Sequence, residues 1–184
     1  MVNSLKFLAI NIVIKLKQVL FVSIEIIRGR VTYYPNSVKL FEKKFSRYIG
    51  VRNGIMFTNA TSALEAAMFS VGVNSESKVG TTAFVIPSSY CSAHSLGAEI
   101  EFIDIDKHSL NLDYKTLIKK ENPSITTLIV THFYGNPCDM KSIMSWAEKH
   151  NIFVIEDCSH AHGATFNGRL LGGWGHIGVF SLQG

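Results

Sequence analysis

Cysteine and proline are scarce in this chain of 184 residues. The three cysteines, Cys91, Cys138 and Cys158, lie far apart and form no CxxC pair, which argues against both a disulfide framework and a zinc site. Four prolines and a hydrophobic fraction of 47% indicate a folded protein with a core rather than a disordered chain. Because unpaired cysteines suit a reducing compartment, we predict a cytoplasmic protein.

Most of the chain also has no excess of positive over negative charge. The net charge is +4, and residues 1–30 account for all of it, because they hold five basic side chains against the single acidic Glu25. Residues 31–184 are neutral overall. The sequence therefore offers no basic patch for a nucleic acid, and we predict no nucleic-acid partner.

No hydrophobic run is long enough to cross a membrane, which takes roughly 20 apolar residues. The runs Phe7–Ile14 and Val19–Ile24 are short and are separated by Lys15 and Lys17, and they are followed by no small-residue cleavage site of a signal peptide. We therefore predict that residues 1–30 form an apolar and basic N-terminal extension without a transmembrane span. An amphipathic helix that packs on the protein or on a second subunit is favoured, and contact with a membrane surface is the alternative.

Strand and helix patterns alternate five times along the rest of the chain, with short connections. Such alternation is typical of an α/β fold with a mainly parallel sheet and helices on both faces. Ligands of such sheets bind at the carboxyl ends of the strands. Asp113 and Asp139 are predicted to begin two of the helices. The strands are predicted at Gly54–Thr58, Val79–Phe84, Glu99–Ile103, Thr126–Thr131, Ile152–Ile155 and Ile177–Phe180.

The most informative segment is the acidic pair Glu156-Asp157, which directly follows the strand Ile152–Ile155. Neighbouring residues of a strand point to opposite faces of the sheet, so one of the two carboxylates is predicted to be structural. Asp157 lies where a carboxylate meets a bound ring rather than bulk water. A metal ligand or a helix cap is the alternative. His160 and His162 follow, but without a third spaced ligand we predict no metal site.

Three further features lie at the same predicted edge, each with a plain structural explanation. The hydroxyls of Thr61 and Ser62 stand at the start of a helix, where they form either an N-cap or a cradle for a phosphate. Phe84 ends a strand, either as a core residue or as a platform for a flat ligand. Ser181 follows the last strand and carries no signal in isolation. The chain has neither a Walker lysine nor a GxGxxG turn, which argues against a nucleotide-binding loop.

Taken together, these segments resemble the DegT–DnrJ–StrS family of sugar-nucleotide aminotransferases, which are pyridoxal phosphate (PLP) enzymes of fold type I. Members typically read Gly-Thr-Ser-Ala-Leu, Val-His-Leu-Tyr-Gly, and Glu-Asp followed by small residues and Gly-Ala. This chain has Asn59–Leu64, Thr131–Gly135 and Glu156–Ala164 at those places. Residues 1–30 lie outside the resemblance. Residues 31–184 are predicted to be a partial PLP-binding large domain of fold type I, without the C-terminal small domain.

The resemblance implies a role for each of these side chains. Asp157 would pair with the pyridinium nitrogen of PLP, His160 would lie beside the phenolic oxygen, and Phe84 would stack on the ring. The phosphate would be held by three hydroxyls, those of Thr61, Ser62 and Ser181. The lysine that forms the Schiff base is expected at position 186, beyond Gly184. The 184-residue chain is therefore expected to be an N-terminal fragment that binds PLP weakly if at all and is inactive alone.

The activity that the resemblance implies is transfer of an amino group to a nucleotide-linked keto-sugar, with glutamate as the amino-acid donor. Surface polysaccharides, lipopolysaccharide among them, and other deoxy-amino sugars are the expected products. A homodimer is expected for the full-length protein. Two alternatives stay open. One is a PLP-dependent sugar dehydratase of the same fold, with histidine in place of the lysine. The other is a non-catalytic truncated homologue that acts as a binding partner.

Overall fold

A computed structural model describes residues 35–119 and 123–182 of the chain. The chain separates into two compact units, residues 1–43 and residues 44–184. The predicted N-terminal extension, residues 1–30, lies outside the described residues, and its boundary with the large domain stays a prediction.

The described residues contain five α-helices and seven strands. The helices are α1 (Pro35–Ile49), α2 (Ala60–Ser70), α3 (Ser88–Ser95), α4 (Tyr114–Ile118) and α5 (Met140–Lys149). The strands are β1 (Lys78–Thr82), β2 (Glu99–Ile103), β3 (Thr127–Thr131), β4 (Phe153–Asp157), β5 (Thr165–Phe166), β6 (Arg169–Leu170) and β7 (Ile177–Val179). A 3-10 turn, Phe133–Gly135, follows β3.

Five of the strands form one sheet in the order β2–β1–β3–β4–β7, and every neighbouring pair is parallel. The register places Thr131 of β3 beside Asp157 of β4, and Asp157 beside Val179 of β7. Because all five strands run in the same direction, their last residues lie along one side of the sheet, which we call the carboxyl edge. Ligands of parallel sheets bind at this edge.

Helices cover both faces of the sheet. On one face, Leu64 and Met68 of α2 share a core with Ala93 of α3 and with Ile129 and Ile155 of the central strands; we call it the α2/α3 face. The opposite core joins the alternate strand residues to α5, and among its members are Val130, Val154 and Ile143. The predicted α/β fold, a mainly parallel sheet with helices on both faces, is therefore confirmed.

Side-chain caps explain where three of the helices begin. The Oδ1 atom of Asn59 accepts a hydrogen bond from the backbone N–H of Ser62 at 2.8 Å, at the start of α2. Asp113 caps α4 and Asp139 caps α5 in the same way. Such a cap satisfies one of the unpaired N–H groups of the first helical turn. The two aspartate caps predicted from the sequence are confirmed.

The strand predicted at Gly54–Thr58 is wrong. The structure has an irregular segment there, and no described strand pairs with it. Ile55 is 74% exposed, and Phe57 is 41% exposed. The apolar composition of the segment suggested a buried strand, but an apolar run forms a strand only where a partner strand receives its hydrogen bonds.

The hairpin of β5 and β6 was not predicted. Thr165 pairs with Leu170 and Phe166 pairs with Arg169, and the two-residue turn between them is Asn167-Gly168, with φ of 48° and 77°. Asn-Gly is the strongest short signal for a hairpin of this kind, so the sequence did carry the information.

None of the helices in residues 35–119 and 123–182 is long and apolar enough to span a bilayer.

Candidate functional site

The carboxyl edge brings together predicted site residues that are far apart in the sequence. Asp157 is the last residue of β4, and Thr131, the last residue of β3, lies beside it. Ser181 stands two residues beyond Val179, the β7 partner of Asp157. Phe84 stands two residues beyond the end of β1. The edge therefore collects side chains from four adjacent strands.

Asp157 is nearly buried, with 5% of its surface exposed, and both of its carboxylate oxygens are held. Its Oδ2 atom accepts a hydrogen bond from the hydroxyl of Ser89 at 3.0 Å, and its Oδ1 atom accepts one from the backbone N–H of Ser159 at 3.0 Å. Ser89 is itself fully buried on α3. Each carboxylate oxygen keeps a second lone pair, so Asp157 is fixed in orientation and can still accept a hydrogen bond from a ligand.

The first turn of α2 is joined to Asp157 through α3. The hydroxyl of Ser92 donates to the backbone carbonyl of Thr61 at 3.3 Å, and Ser92 lies one helical turn after Ser89, which holds Asp157. One turn of helix is about 5 Å long. The helix start that carries Thr61 and Ser62 therefore lies on the same side of the sheet as the carboxylate.

The sequence left two roles open for Thr61 and Ser62, an N-cap or a phosphate cradle. In the structure the side chain of Asn59 makes the cap. Within the described part of the chain, the hydroxyls of Thr61 and Ser62 have no hydrogen-bond partner. The cap explanation for these two hydroxyls is therefore wrong, and both are available to a ligand at the helix start.

Glu156 is fully buried and is the structural member of the acidic pair. Its Oε2 atom accepts hydrogen bonds from His132 Nε2 at 3.1 Å and Gly172 N at 2.8 Å, and its Oε1 atom accepts from Trp174 N at 2.7 Å and Gly175 N at 2.6 Å. Burial by itself would raise the pKa of Glu156, but the bonds from His132, Gly175 and Gly172 hold that pKa below its ordinary value. Glu156 therefore anchors the glycine-rich turn before β7.

The hydrogen bonds of His132 define its protonation. Its Nδ1 atom accepts the backbone N–H of Cys138 at 3.2 Å, so the ring proton is on Nε2, which donates to Glu156. Glu156 therefore receives the Nε2 proton of His132 as well as the three backbone N–H groups of the turn. Glu156 lies in register with Val130, which belongs to the α5 core, while Asp157 lies in the next position on the α2/α3 face. The predicted opposite orientation of the two carboxylates is confirmed.

Three potential metal ligands lie close together in this region. Ligand atoms of His132, Glu156 and Cys158 fall within 4.8 Å of one another. Burial raises the pKa of the Cys158 thiol far above its ordinary value, so the sulfur keeps its proton, and a protonated thiol is a poor ligand. The oxygens of Glu156 are already occupied by four donors. The cluster is a hydrogen-bonded core, and it does not suit a metal ion.

Aromatic rings form one wall of the carboxyl edge. The ring of Phe133 packs against Phe84, with 4.7 Å between ring centroids. Tyr134 stacks on His160 at 5.6 Å, with an angle of 13° between the rings. Tyr134 is 80% exposed and has a φ of 49°, in the left-handed region. Such strain in a residue other than glycine occurs preferentially at functional sites.

A buried amide holds this aromatic turn in place. The side chain of Asn111 is 3% exposed; it donates to the carbonyl of Asn136 at 2.9 Å and accepts the N–H of Phe133 at 2.9 Å. Because one amide group binds both ends of the turn, Tyr134 and its stacked partner His160 have a defined position. Neither Asn111 nor Tyr134 was predicted as a site residue: Tyr134 lies in the segment Thr131–Gly135 that carries the resemblance, whereas Asn111 stands in no local pattern that marks a site.

The chain also has relatives of known name. The sequence model of the DegT/DnrJ/EryC1/StrS aminotransferase family matches residues 22–184. GDP-perosamine synthase of Caulobacter vibrioides is 35% identical over 144 residues, which is 78% of this chain and 39% of that protein. UDP-4-amino-4,6-dideoxy-N-acetyl-beta-L-altrosamine transaminase of Campylobacter jejuni is 36% identical over 146 residues, which is 78% of this chain and 38% of that protein.

A solved structure confirms the fold. The aminotransferase from Psychrobacter cryohalolentis superposes with a TM-score of 0.81 at 32% identity, over 86% of this chain and 40% of that chain. The chain thus spans about two fifths of the length of the relatives it matches, 39% and 38% for the two named above. The expectation that it corresponds to part of a longer aminotransferase agrees with this coverage.

Proposed function

We propose that this chain, which belongs to the DegT/DnrJ/EryC1/StrS aminotransferase family, forms the PLP-binding part of a sugar-nucleotide aminotransferase. In the whole protein, an amino group passes from glutamate to a nucleotide-linked keto-sugar in the biosynthesis of surface polysaccharide or other amino sugars. The names of the relatives support this substrate class, because GDP-perosamine and a UDP-linked altrosamine are both nucleotide-linked amino sugars.

The observation that carries the proposal is the position of Asp157. The residue fits a pyridine cofactor, since its carboxylate is buried at the carboxyl edge, fixed by Ser89 and Ser159, and retains free lone pairs. Bound PLP supplies the electron sink for amino transfer, which depends on a protonated ring nitrogen. The carboxylate of Asp157 would hold the proton on that nitrogen when the cofactor is bound.

The remaining candidate residues bind and orient the cofactor. The free hydroxyls of Thr61 and Ser62, at the first turn of α2, bind the phosphate together with Ser181. His160, held by the stacked ring of Tyr134, would bind the phenolic oxygen. Phe84 is 47% exposed and gives the ring an apolar surface on which to stack.

We also propose that the whole protein is a cytoplasmic homodimer. The irregular segment before α2 supports the dimer, since Ile55 and Phe57 expose apolar surface that a second copy would cover. The free thiols of Cys91, Cys138 and Cys158 suit a reducing compartment.

Binding of pyridoxamine phosphate tests the proposed site. This form of the cofactor carries its own amino group and needs no covalent bond to a lysine, so its affinity for the chain reports on the site alone. We expect Asp157→Asn to weaken binding by about tenfold or more, because a charge-assisted hydrogen bond is lost. Isothermal titration calorimetry measures the affinity.

Asp104→Asn is the matched control for that experiment. Asp104 is exposed and directly follows β2, three strands away from β4 in the sheet and therefore roughly 14 Å from it. The control should bind pyridoxamine phosphate like the unmodified chain, and urea unfolding of both variants checks that the fold is kept. Equal affinities for Asp157→Asn and the unmodified chain would refute the proposed site.

A further inference from the structure

Two threonine hydroxyls on the α2/α3 face are buried without a hydrogen-bond partner. They are the Oγ1 atoms of Thr81 in β1 and Thr131 in β3. Thr81 follows Val79 at the alternate position of β1, and Thr131 follows Ile129 at the alternate position of β3, and both of those residues belong to the α2/α3 core. A buried hydroxyl without a partner is unfavourable, so each of the two calls for an explanation.

The two hydroxyls lie at different depths below the carboxyl edge. Thr131 is the last residue of β3 and lies in register with Asp157, on a strand spaced about 4.8 Å from β4. Gly80 is in register with Leu128, so Thr81 lies level with Ile129, two residues below Thr131. Two residues of strand are about 7 Å. Only Thr131 adjoins the site that contains Asp157.

The neighbours of Thr131 leave its hydroxyl without a partner inside the protein. Both oxygens of Asp157 are bonded to other donors, Ser89 and the N–H of Ser159. Thr131 as a whole is partly exposed although its oxygen is covered, so the side chain lies at the boundary between core and site. Rotation about its Cα–Cβ bond exchanges the methyl and hydroxyl groups between staggered positions and turns the oxygen toward a ligand.

We propose that the Thr131 hydroxyl forms a hydrogen bond to the bound pyridine cofactor, on the side of the ring that Asp157 holds. This inference rests on the proposed function, since the cofactor is the ligand that supplies the missing partner. It adds a contact that the sequence did not indicate, from a strand next to the one that bears the carboxylate. Thr131 also makes the affinity for the cofactor depend on a neutral hydroxyl and not on charge alone.

Replacing Thr131 by valine tests this inference, because valine keeps the shape and removes only the hydroxyl. We expect T131V to weaken the binding of pyridoxamine phosphate by about five- to tenfold, the loss of one neutral hydrogen bond. The midpoint of urea unfolding of the free chain should rise or stay unchanged, because an unpaired buried hydroxyl is removed. If the hydroxyl had only a structural role, T131V would lower both the affinity for pyridoxamine phosphate and the midpoint of urea unfolding.

Two further variants test whether the effect comes from the hydroxyl group itself and whether it depends on the place of that hydroxyl at the carboxyl edge. T81V removes the deeper hydroxyl, so it should raise the unfolding midpoint in the same way and leave the affinity for pyridoxamine phosphate unchanged. T131S retains a hydroxyl and should bind more tightly than T131V. Equal affinities for T131V and the unmodified chain, or equal weakening by T131V and T131S, would overturn the inference.

The same titrations distinguish this inference from the proposed function. If the unmodified chain binds pyridoxamine phosphate in a manner that depends on Asp157 and T131V binds equally well, only the role of Thr131 is refuted. If binding is absent or is the same in D157N, the cofactor site itself is refuted and the role of Thr131 falls with it.

Discussion

Glu156 and Asp157 are adjacent in the chain, yet their carboxylates lie on opposite faces of the sheet and have different roles. Asp157 faces the carboxyl edge with lone pairs to spare, whereas Glu156 uses its oxygens for four donors that converge from the glycine-rich turn and from His132. A buried anion is tolerated only when its hydrogen bonds replace those of water. The turn before β7 therefore depends on the charge of Glu156.

Replacing Glu156 by glutamine should destabilise the fold. A carboxamide offers one acceptor oxygen and one donor nitrogen, so its NH2 group would face backbone N–H groups that now lack an acceptor. We expect the free energy of unfolding to fall by about 2 to 4 kcal/mol, measured by urea titration. The same change at Glu148, which is exposed on α5, should alter it by less than about 0.5 kcal/mol. A loss no larger than that of the control would show that the charge is dispensable.

The pH dependence of the same variant gives an independent check. The pKa of Glu156 in the folded chain is lowered from 4.5, so its contribution to stability is complete above that pH and is lost as the pH falls toward the lower folded value. The gap in stability between the unmodified chain and E156Q should therefore narrow as the pH is lowered from about 7 to about 3.5. A gap that stays constant would contradict a lowered pKa.

Two glycines with positive φ illustrate how element geometry sets the cost of a side chain. Gly168, in the hairpin turn, has open space where a Cβ would lie, whereas a Cβ on Gly172 would overlap the ring of Phe180. Both residues lie in the left-handed region, with φ of 77° and 84°. A Cβ at Gly168 would therefore cause only conformational strain. A Cβ at Gly172 would cause the same strain and also a steric clash in the turn that Glu156 anchors.

Replacing Gly168 and Gly172 by alanine should distinguish conformational strain from the steric clash. We expect Gly168→Ala to lower the free energy of unfolding by about 1 kcal/mol, and Gly172→Ala to lower it by about 3 kcal/mol or more. Thermal or urea unfolding of the two variants measures the difference. Equal losses would mean that the chain shifts to accommodate a methyl group beside Phe180.

The sheet itself could be predicted from the sequence to a large extent. β2 has the predicted bounds, Glu99–Ile103, and the other strands of the main sheet differ by a few residues at their ends, because buried parallel strands are read as short apolar runs. Gly54–Thr58 has the same composition and forms no strand. Pairing depends on whether a neighbouring strand is present, and local composition does not specify that.

The site could be predicted only in part, for a related reason. Asp157 and Phe84 could be placed at the carboxyl edge because strand ends of a parallel sheet converge there. Ser89 and Asn111 were missed, because each acts on a residue far away in sequence: Ser89 on Asp157, 68 residues on, and Asn111 on Phe133, 22 residues on. Contacts of this kind appear only when helices and loops are placed on the sheet.

At the scale of the whole molecule, the irregular segment before α2 leaves apolar surface uncovered. Ile55 is 74% exposed, and its neighbours Met56 and Phe57 are 40% and 41% exposed. Three consecutive apolar residues with this much exposure are uncommon on a surface that meets only water, and such segments mark contacts between proteins. In a homodimer, the second copy would remove this surface from water, which is the driving force we propose for association.

A charge at the centre of this segment should therefore weaken the dimer. We expect the whole protein to sediment as a dimer in analytical ultracentrifugation and Ile55→Glu to raise its dissociation constant by about tenfold or more, because a carboxylate would be buried without a partner. Ile118→Glu makes the same change at a residue of α4 that is 49% exposed and should leave association unchanged. A monomeric whole protein, or equal effects of the two glutamates, would show that the segment before α2 is not the dimer contact.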